Sequence, residues 1–166
     1  MATFNTSGIE IERKFLIRYP DINLLEKIGA KTEIEQTYLA SDDDIARRIR
    51  KTTERGVSAY FYCQKQDITP RKRTEEEVLI TESKYYELLD EAITGTLKKT
   101  RYNIPFLEFN LEIDVYPFWD DRAILEIELS FENEEIQFPN YIEVIGEVTE
   151  ELLYRNISLA RMYVTP

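Results

Sequence analysis

The chain has 166 residues, of which 43% are hydrophobic and 12% aromatic, and its formal net charge at pH 7 is −11. This length and composition predict one globular domain with a sizeable core rather than a disordered chain. The negative charge argues against binding to nucleic acid or to an anionic membrane surface. Histidine is absent from the sequence, which excludes Ser-His-Asp triads, histidine general bases and histidine-based zinc hydrolysis.

The single cysteine, Cys63, cannot form an intrachain disulfide and is typical of a reducing compartment. We interpret it as a small buried residue on a strand. No apolar run approaches the ~18 residues of a membrane-spanning helix, and residues 1–7 are predicted to be a loose leader without signal-peptide features. We therefore expect a cytoplasmic protein with a single domain over residues 1–166 and no contact with a membrane.

The first predicted element is a strand in which Glu10, Glu12 and Lys14 alternate with apolar residues. Because successive side chains of a strand point to opposite faces, these three charges form a row on one face. Two carboxylates and an ammonium in a row can hold a metal ion together with anionic oxygens, or can simply face solvent. The other strands must decide between these interpretations.

The same alternation and the capping residues predict the remaining elements. Further strands are expected over 34–39, 45–52, 58–66 and 73–80, and around 99–102, 111–115 and 125–129. Helices are expected over 22–28, from Thr81 to about 94, and from Thr149 to about 162, each after an Asp or Thr that can cap the first turn. Gly56 marks a hairpin, and residues 67–72 are expected to form a polar loop.

Six segments carry two charges of the same sign on their polar face, two residues apart. The pairs are Glu10/Glu12, Arg48/Arg50, Glu75/Glu77, Lys99/Arg101, Glu112/Asp114 and Glu126/Glu128. Because like charges on neighbouring positions repel each other, a solvated face gains nothing from this arrangement. A shared interior in which acidic rows face basic rows explains it better. We therefore predict a closed sheet with a charged lumen, whose apolar face is turned outward beneath the helices.

The predicted lumen is nearly balanced in charge. Its acidic members are Glu10, Glu12, Glu75, Glu77, Glu112, Asp114, Glu126 and Glu128, and its basic members are Lys14, Arg48, Arg50, Lys65, Arg73, Lys99 and Arg101. Such an interior is costly unless ligands pair its charges. Phosphoryl transfer on a polyphosphate needs both kinds of group, since carboxylates hold divalent cations while Arg and Lys hold phosphate oxygens. Without histidine, Mg²⁺ and Mn²⁺ are the expected metals.

The order of these motifs resembles that of the CYTH superfamily, the triphosphate tunnel metalloenzymes. Glu10-x-Glu12-x-Lys14 is similar to the ExExK signature of that family. From about residue 8 to residue 160 the other family-like motifs follow in order: EQTYL, RRIR, YCQK, RTEEEVLI, KKTRYNI, LEIDVY, LEIELS, GEVT and RNISLA. The segment PNYIEVIGEVT departs from the family's usual Pro-x-Trp-Leu-Gly, and this departure concerns a loop and the tunnel mouth rather than the metal ligands.

The resemblance implies an α+β fold with a closed eight-stranded antiparallel β-barrel, a charged tunnel and helices packed outside. By position, the implied metal ligands are Glu10, Glu12, Asp114, Glu126 and Glu128. The implied triphosphate-binding residues are Lys14, Arg48, Arg50, Lys65, Arg73, Lys99 and Arg101. An acidic residue such as Glu12, Asp114 or Glu128 is expected to assist the attacking water. Lys14 or Lys99 is expected to support the leaving group. A supporting network is expected to contain Glu75, Glu77, Glu112 and Tyr38, although Tyr38 could equally serve packing.

The functional prediction is metal-dependent hydrolysis of a small triphosphate by a monomer or homodimer. Inorganic tripolyphosphate, cleaved to diphosphate and phosphate, is the first choice of substrate, and nucleoside triphosphates and thiamine triphosphate are alternatives. An adenylate cyclase on the same scaffold, which converts ATP to cyclic AMP and diphosphate, is the competing hypothesis. A third hypothesis is a non-catalytic module that binds polyphosphate or nucleotides.

Overall fold

The computed structural model describes residues 5–42 and 44–165, with side chains from Gly8 onward. Within this part the elements are β1 (Asn5–Arg18), α1 (Ile22–Ile28), β2 (Ala30–Leu39), β3 (Ile45–Glu54), β4 (Val57–Thr69), β5 (Lys72–Ile80), α2 (Glu82–Leu88), β6 (Leu97–Phe106), β7 (Phe109–Val115), β8 (Arg122–Glu128), β9 (Val144–Glu147) and α3 (Asn156–Tyr163). Short 3₁₀ turns lie at Leu89–Glu91 and Leu152–Tyr154. The described helices include none that is long and apolar enough to cross a membrane.

Eight strands close into an antiparallel barrel. Their order around the barrel is β5, β4, β3, β2, β6, β7, β8 and β1, and β1 pairs again with β5. The long strand β1 makes this closure because its first half pairs with β5, where Glu10 lies opposite Arg73, and its second half pairs with β8, where Glu12 lies opposite Glu128. The predicted eight-stranded barrel is confirmed. The additional strand β9, which pairs with β1 from Phe15 to Ile17, was not predicted.

The alternation of residues along the strands separates the two faces of the barrel as predicted. Outward apolar side chains of β1, β6, β7 and β8 form the largest core, which includes Ile17, Ile104 and Leu125 and is covered in part by Leu25 of α1. On the opposite side, Ile49 packs beneath α2. Each such side chain contributes about 1.5–3 kcal/mol when it is fully buried. The core therefore surrounds the barrel and leaves its interior to the other face of the strands.

Part of the interior is apolar, which the sequence analysis did not predict. Four inward side chains each lie two residues along the chain from a charged lumen residue: Leu16, Leu97, Tyr116 and Ile124. They pack against Leu159 and Ala160 of α3. This apolar floor consists of Leu16, Leu97, Tyr116, Ile124, Leu159 and Ala160. The charged lumen thus occupies only the part of the interior that the apolar floor does not fill.

Two helices are shorter than predicted because their backbones bond to strands instead. The helix α2 ends at Leu88, and beyond it Ile93 N–H donates to the carbonyl of Tyr38 at 2.9 Å. The helix α3 begins at Asn156 rather than at Thr149. In the intervening segment, Val148 N–H donates to the Lys14 carbonyl at 2.8 Å, so this part of the chain follows the edge of β1.

Several strand boundaries also differ from the prediction, among them the start of β2 at Ala30 rather than at residue 34. The strand β1 begins at Asn5, within the segment expected to be a loose leader, while residues 1–4 of that leader lie outside the described part. The strands β4 and β5 extend over most of the predicted loop 67–72. The hairpin before β4 turns at Arg55 and Gly56, whose φ angles of 49° and 78° suit a tight turn between twisted strands.

Candidate functional site

A cavity of about 270 Å³ lies inside the barrel, and charged side chains dominate its wall. The predicted residues on this wall are Glu10, Glu12, Lys14, Tyr38, Arg48, Arg50, Lys65, Arg73, Glu75, Arg101, Glu112 and Glu126. Four predicted residues do not reach it: Glu77, Lys99, Asp114 and Glu128. The polar faces of the strands therefore converge on one cavity, as their alternation indicates.

Beneath the cavity wall, Asp114 is fully buried and bonded to two cations. It accepts hydrogen bonds from Lys99 Nζ at 2.8 Å and from Arg101 Nε and Nη2 at 2.7 and 2.9 Å. Burial alone would raise the pKa of Asp114, but the charges of Arg101 and Lys99 lower it below its usual value. Burial also lowers the pKa of Lys99 to about 8. We call Lys99, Arg101 and Asp114 the deep triad. Its two cations share one carboxylate, and Arg101 also contacts Glu112 and Glu126.

A second group is purely acidic, and we call it the acidic cluster: Glu10, Glu12, Glu75 and Glu128. Burial and the negative charges of Glu126 and Glu10 raise the pKa of Glu12 above its usual value. The pKa of the more exposed Glu128 is raised in the same way by burial and by the charges of the other three members. The acidic cluster thus concentrates negative charge where its members repel one another.

Two cations offset part of this repulsion. Lys65 Nζ lies 3.1 Å from a Glu10 oxygen, and an Arg73 nitrogen lies 3.3 Å from a Glu12 oxygen. Neither contact restores the usual pKa of Glu12. The remaining excess of negative charge is what a divalent cation with oxygen ligands would stabilise.

Between the two groups, the pKa of Glu126 is lowered and the pKa of Glu112 is raised. Burial opposes ionisation of Glu126, but Lys14 and Arg101, each with a nitrogen 3.5 Å from its oxygens, lower its pKa well below the usual value. Burial raises the pKa of Glu112 to about 7, with the negative charge of Glu126 adding to the effect and Arg101 opposing it. Two adjacent carboxyl groups therefore differ in protonation near neutral pH.

Arg48 differs from every other cation of the predicted lumen. It lies on the cavity wall with 9% of its surface exposed, and its Nε has no hydrogen-bond partner. The other lumen cations each contact a carboxylate, as Arg50 does with Glu77 at 2.8 Å, whereas Arg48 has no such contact among residues 5–42 and 44–165. Burial opposes its charge, but nearby acidic groups, Glu75 and Glu77 among them, raise the pKa of Arg48 above its usual value. The guanidinium therefore stays charged, and its planar donors match phosphate oxygens.

Cys63 is buried, as predicted, but it belongs to a group that the sequence analysis missed. Its sulfur lies 3.6 Å from Glu75 Oε1, and the ligand atoms of Cys63, Glu75 and Glu77 lie within 4.8 Å of one another. Such a group could hold a metal ion. Arg50, however, already bonds Glu77, and Arg48 lies directly opposite Cys63 in the β3–β4 pairing. These cations make the group less suited to a metal than the acidic cluster.

The segment 148–157 also contributes to the cavity wall, a role that the sequence analysis did not assign to it. Thr149, Arg155 and Asn156 are among its lining residues. Lys14 anchors this segment, since its N–H donates to Thr149 Oγ1 at 2.9 Å and its Nζ to the carbonyl of residue 154 at 3.3 Å. The alternation that identified the strands carries no signal here, and the motifs GEVT and RNISLA had served only to support the family resemblance.

Comparison with known proteins identifies the domain. A family model described as "CYTH domain" matches residues 8–163 of the chain. No curated protein matches the sequence.

Several solved structures share the fold. The PH1819 protein of Pyrococcus horikoshii OT3 has a TM-score of 0.57 and 26% sequence identity, over 75% of this chain and 80% of that chain. The PH1012 protein of the same organism has a TM-score of 0.57 and 19% identity, with the same coverage of both chains. A provisionally assigned adenylate cyclase from Bacillus halodurans has a TM-score of 0.52 and 15% identity, over 81% of this chain and 95% of that chain.

Proposed function

The chain belongs to the CYTH domain family, and we propose that it hydrolyses inorganic tripolyphosphate to diphosphate and phosphate with Mg²⁺ or Mn²⁺. Proteins of this family generally act on triphosphate compounds and depend on divalent metals. The observation that carries the proposal is that three members of the acidic cluster share one cavity wall with the buried Arg48, which contacts no carboxylate among the described residues. One part of the wall attracts cations and the other attracts anions.

The residues present fit a hard divalent cation. Burial and mutual repulsion raise the pKa of Glu12 and Glu128, and carboxylate oxygens are the ligands that Mg²⁺ and Mn²⁺ prefer. In the proposal, Glu10, Glu12, Glu126 and Glu128 hold the metal. Asp114 can join them only if the bonds within the deep triad open. A bound cation would neutralise phosphate charge and lower the pKa of the attacking water.

The basic residues of the wall bind the phosphate oxygens in this proposal. Arg48 is available without breaking an ion pair, and Arg50, Lys65, Arg73 and Arg101 keep orientations set by their carboxylate partners. Their positive charges stabilise the charge that develops on the oxygens during transfer. In the proposal, a carboxylate oxygen of Glu12 or Glu128 that does not bind the metal accepts a proton from the attacking water.

Lys14 is better placed than Lys99 to support the leaving diphosphate. Lys14 lies on the cavity wall, whereas Lys99 is bonded to Asp114 beneath it. In the proposal Lys99 therefore maintains the deep triad rather than touching the substrate.

The size and composition of the cavity favour a compact anion. Its volume of about 270 Å³ lies slightly below the range of roughly 300–1,000 Å³ for sites that bury drug-sized ligands. Among the described residues of its wall, Tyr38 is the only aromatic one that could stack on a base. Inorganic tripolyphosphate would use the charged wall without requiring a base pocket.

A phosphate-release assay tests the proposal. Tripolyphosphate, ATP, GTP and thiamine triphosphate are compared, each with Mg²⁺ and with Mn²⁺, and we expect the highest kcat/KM for tripolyphosphate. Glu12→Gln and Arg50→Ala should each lower turnover by orders of magnitude. Glu76→Gln and Lys51→Ala, on the opposite faces of the same strands β5 and β3, serve as controls.

The products formed from ATP separate the alternatives. Cyclic AMP and diphosphate would replace the proposal with an adenylate cyclase. Metal-dependent binding of tripolyphosphate without phosphate release over hours would instead indicate a non-catalytic module. Near-normal turnover in both Glu12→Gln and Arg50→Ala would contradict the assigned site.

A further inference from the structure

We infer that the first turn of α3, together with Arg48, forms a binding site for one terminal phosphate group of the substrate. The inference rests on the proposed function and assigns part of the substrate site to backbone groups. Arg155, Asn156 and Ile157 line the same cavity as Arg48. Further along the helix, Leu159 and Ala160 belong to the apolar floor. The helix therefore begins at the cavity and continues away from it.

Three N–H groups of this turn have no acceptor among the residues that the structure describes. Leu159 N–H makes the first helical bond, to the Arg155 carbonyl at 3.0 Å. The N–H groups of Asn156, Ile157 and Ser158 have no acceptor within the described part of the chain, and no side chain caps the helix. Unpaired N–H groups at a helix N-terminus carry partial positive charge and commonly bind phosphate.

The side chain of Asn156 has a fixed orientation. Tyr116, a buried member of the apolar floor, donates its hydroxyl hydrogen to Asn156 Oδ1 at 2.5 Å. The carboxamide oxygen is thereby occupied, and the carboxamide nitrogen makes no hydrogen bond to any described residue. Two further N–H donors are thus held at the start of the helix.

Arg48 provides the independent evidence that this part of the cavity binds an anion. Its guanidinium is nine-tenths buried and lacks a carboxylate partner among the described residues, although it lies in a chain with an excess of acidic groups. On the neighbouring wall, Asp67 pairs with Arg155 at 2.9 Å. Glu151 and Asp44 also line the cavity, and both are exposed to solvent. Guanidinium, carboxamide and backbone donors together suit the oxygens of a phosphate group.

A pair of substitutions at one position separates the side chain from the backbone. Asn156→Ala removes the carboxamide, and Asn156→Pro additionally removes one backbone N–H. Proline is tolerated at the first helical position, and Arg155, with φ −69° and ψ 143°, already has the extended conformation that precedes proline. The probe is tripolyphosphate, titrated calorimetrically in EDTA so that binding is measured without hydrolysis.

We expect a graded loss of affinity. Asn156→Ala should weaken tripolyphosphate binding about 3- to 10-fold, and Asn156→Pro should weaken it roughly tenfold further, because hydrogen bonds to charged groups are worth more than neutral ones. Asn156→Asp keeps the acceptor for Tyr116 but places a negative charge in the site, so it should weaken binding at least as much as Asn156→Pro does. Asn133→Asp, which adds the same charge at an exposed position, should change the affinity less than twofold.

The series can overturn the inference independently of the proposed function. Affinities of Asn156→Ala, Asn156→Pro and Asn156→Asp within twofold of the unmodified chain would refute the site. The absence of any tripolyphosphate binding by the unmodified chain in EDTA would also refute it, because all of the donors belong to the protein. Hydrolysis is measured separately with Mg²⁺. Phosphate release by the unmodified chain, together with equal tripolyphosphate affinities across the variants, would support the proposed hydrolysis and refute only this binding site. A graded loss of tripolyphosphate affinity without phosphate release would support this binding site and refute the proposed hydrolysis.

Discussion

The deep triad and the acidic cluster come from the same sequence pattern but differ in what faces them across the strands. Both contain like-charged pairs at alternate positions of a strand. In the deep triad, Arg101 of β6 lies opposite Asp114 of β7, so unlike charges meet. In the acidic cluster, Glu12 of β1 lies opposite Glu128 of β8, so like charges meet. At these two positions the register between strands decides whether a carboxylate meets a cation or a second carboxylate, whereas Glu10 and Glu75 of the acidic cluster lie opposite Arg73 and Lys65.

The largest expected effect comes from breaking the deep triad. Asp114→Ala leaves two buried cations without their carboxylate, and the loss of one partner of a buried ion pair costs about 3–5 kcal/mol. We expect the free energy of unfolding, measured in urea, to fall by about this amount. Lys98→Ala, at the exposed neighbour of Lys99, is the control and should change it by less than ~0.5 kcal/mol. An unchanged free energy for Asp114→Ala would show that the triad does not stabilise the fold.

Metal addition should act on the acidic cluster alone. If the carboxylates of this cluster hold Mg²⁺, then Mg²⁺ at 100 times its Kd should raise the free energy of unfolding by about 2.7 kcal/mol. Glu12→Gln should abolish most of this gain, and Glu76→Gln on the outer face of β5 should preserve it. Thermal unfolding with and without Mg²⁺ provides the measurement. A full gain in Glu12→Gln would place the metal elsewhere, with the group formed by Cys63, Glu75 and Glu77 as the next candidate.

Replacing Arg48 should separate stability from anion binding. Arg48→Met keeps much of the buried volume and removes a buried charge that has no carboxylate contact among the described residues, so it should change the free energy of unfolding of the metal-free protein by no more than about 1 kcal/mol. The same change should weaken tripolyphosphate binding by at least tenfold. Arg101→Met provides the contrast, because it removes the partner of Asp114 and should destabilise the fold. A loss of several kcal/mol in Arg48→Met would contradict this expectation and would mean that the charges of Glu75 and Glu77 stabilise the guanidinium as strongly as a direct ion pair does.

The smallest effect is expected from relieving repulsion in the acidic cluster. Glu128→Gln removes one charge at the exposed edge of the cluster, where solvent screens the interaction, so the metal-free protein should gain only about 0.5 kcal/mol. Chemical denaturation in EDTA measures this gain. Any loss of stability would mean that Glu128 makes a favourable contact in the folded protein, which would contradict the repulsion inferred from its raised pKa.

Much of the barrel follows from local sequence. Alternation along each strand is a property of a few consecutive residues, so the inward position of Glu10 or Arg50 can be predicted without knowing its neighbours. Whether an inward charge is satisfied depends instead on the register between distant strands, which a single sequence does not fix. That is why Asp114 and Glu12 looked equivalent in the sequence but have different surroundings in the structure.

The segment before α3 shows a different limit of prediction. Thr149, Glu150 and Glu151 form a favourable helix start by composition, but the backbone there bonds to Lys14, and the helix begins only at Asn156. The competing partner lies on a strand at the other end of the chain. Local propensity cannot reveal such a partner. The position of Asn156 on the cavity wall depends on this partner, because the partner sets where the helix begins.

The split pairing of β1 has a consequence for how the protein reaches its folded state. The residues Glu10 and Glu12 stand on the strand that closes the ring, and their neighbours in β5 and β8 lie far away along the chain. Contacts between distant segments carry a large loop-closure entropy and form slowly. The acidic cluster thus comes together only when the barrel closes, so an intermediate with an open ring would lack the proposed metal site. Refolding in the presence of Mg²⁺ would then report ring closure directly, through the appearance of metal binding.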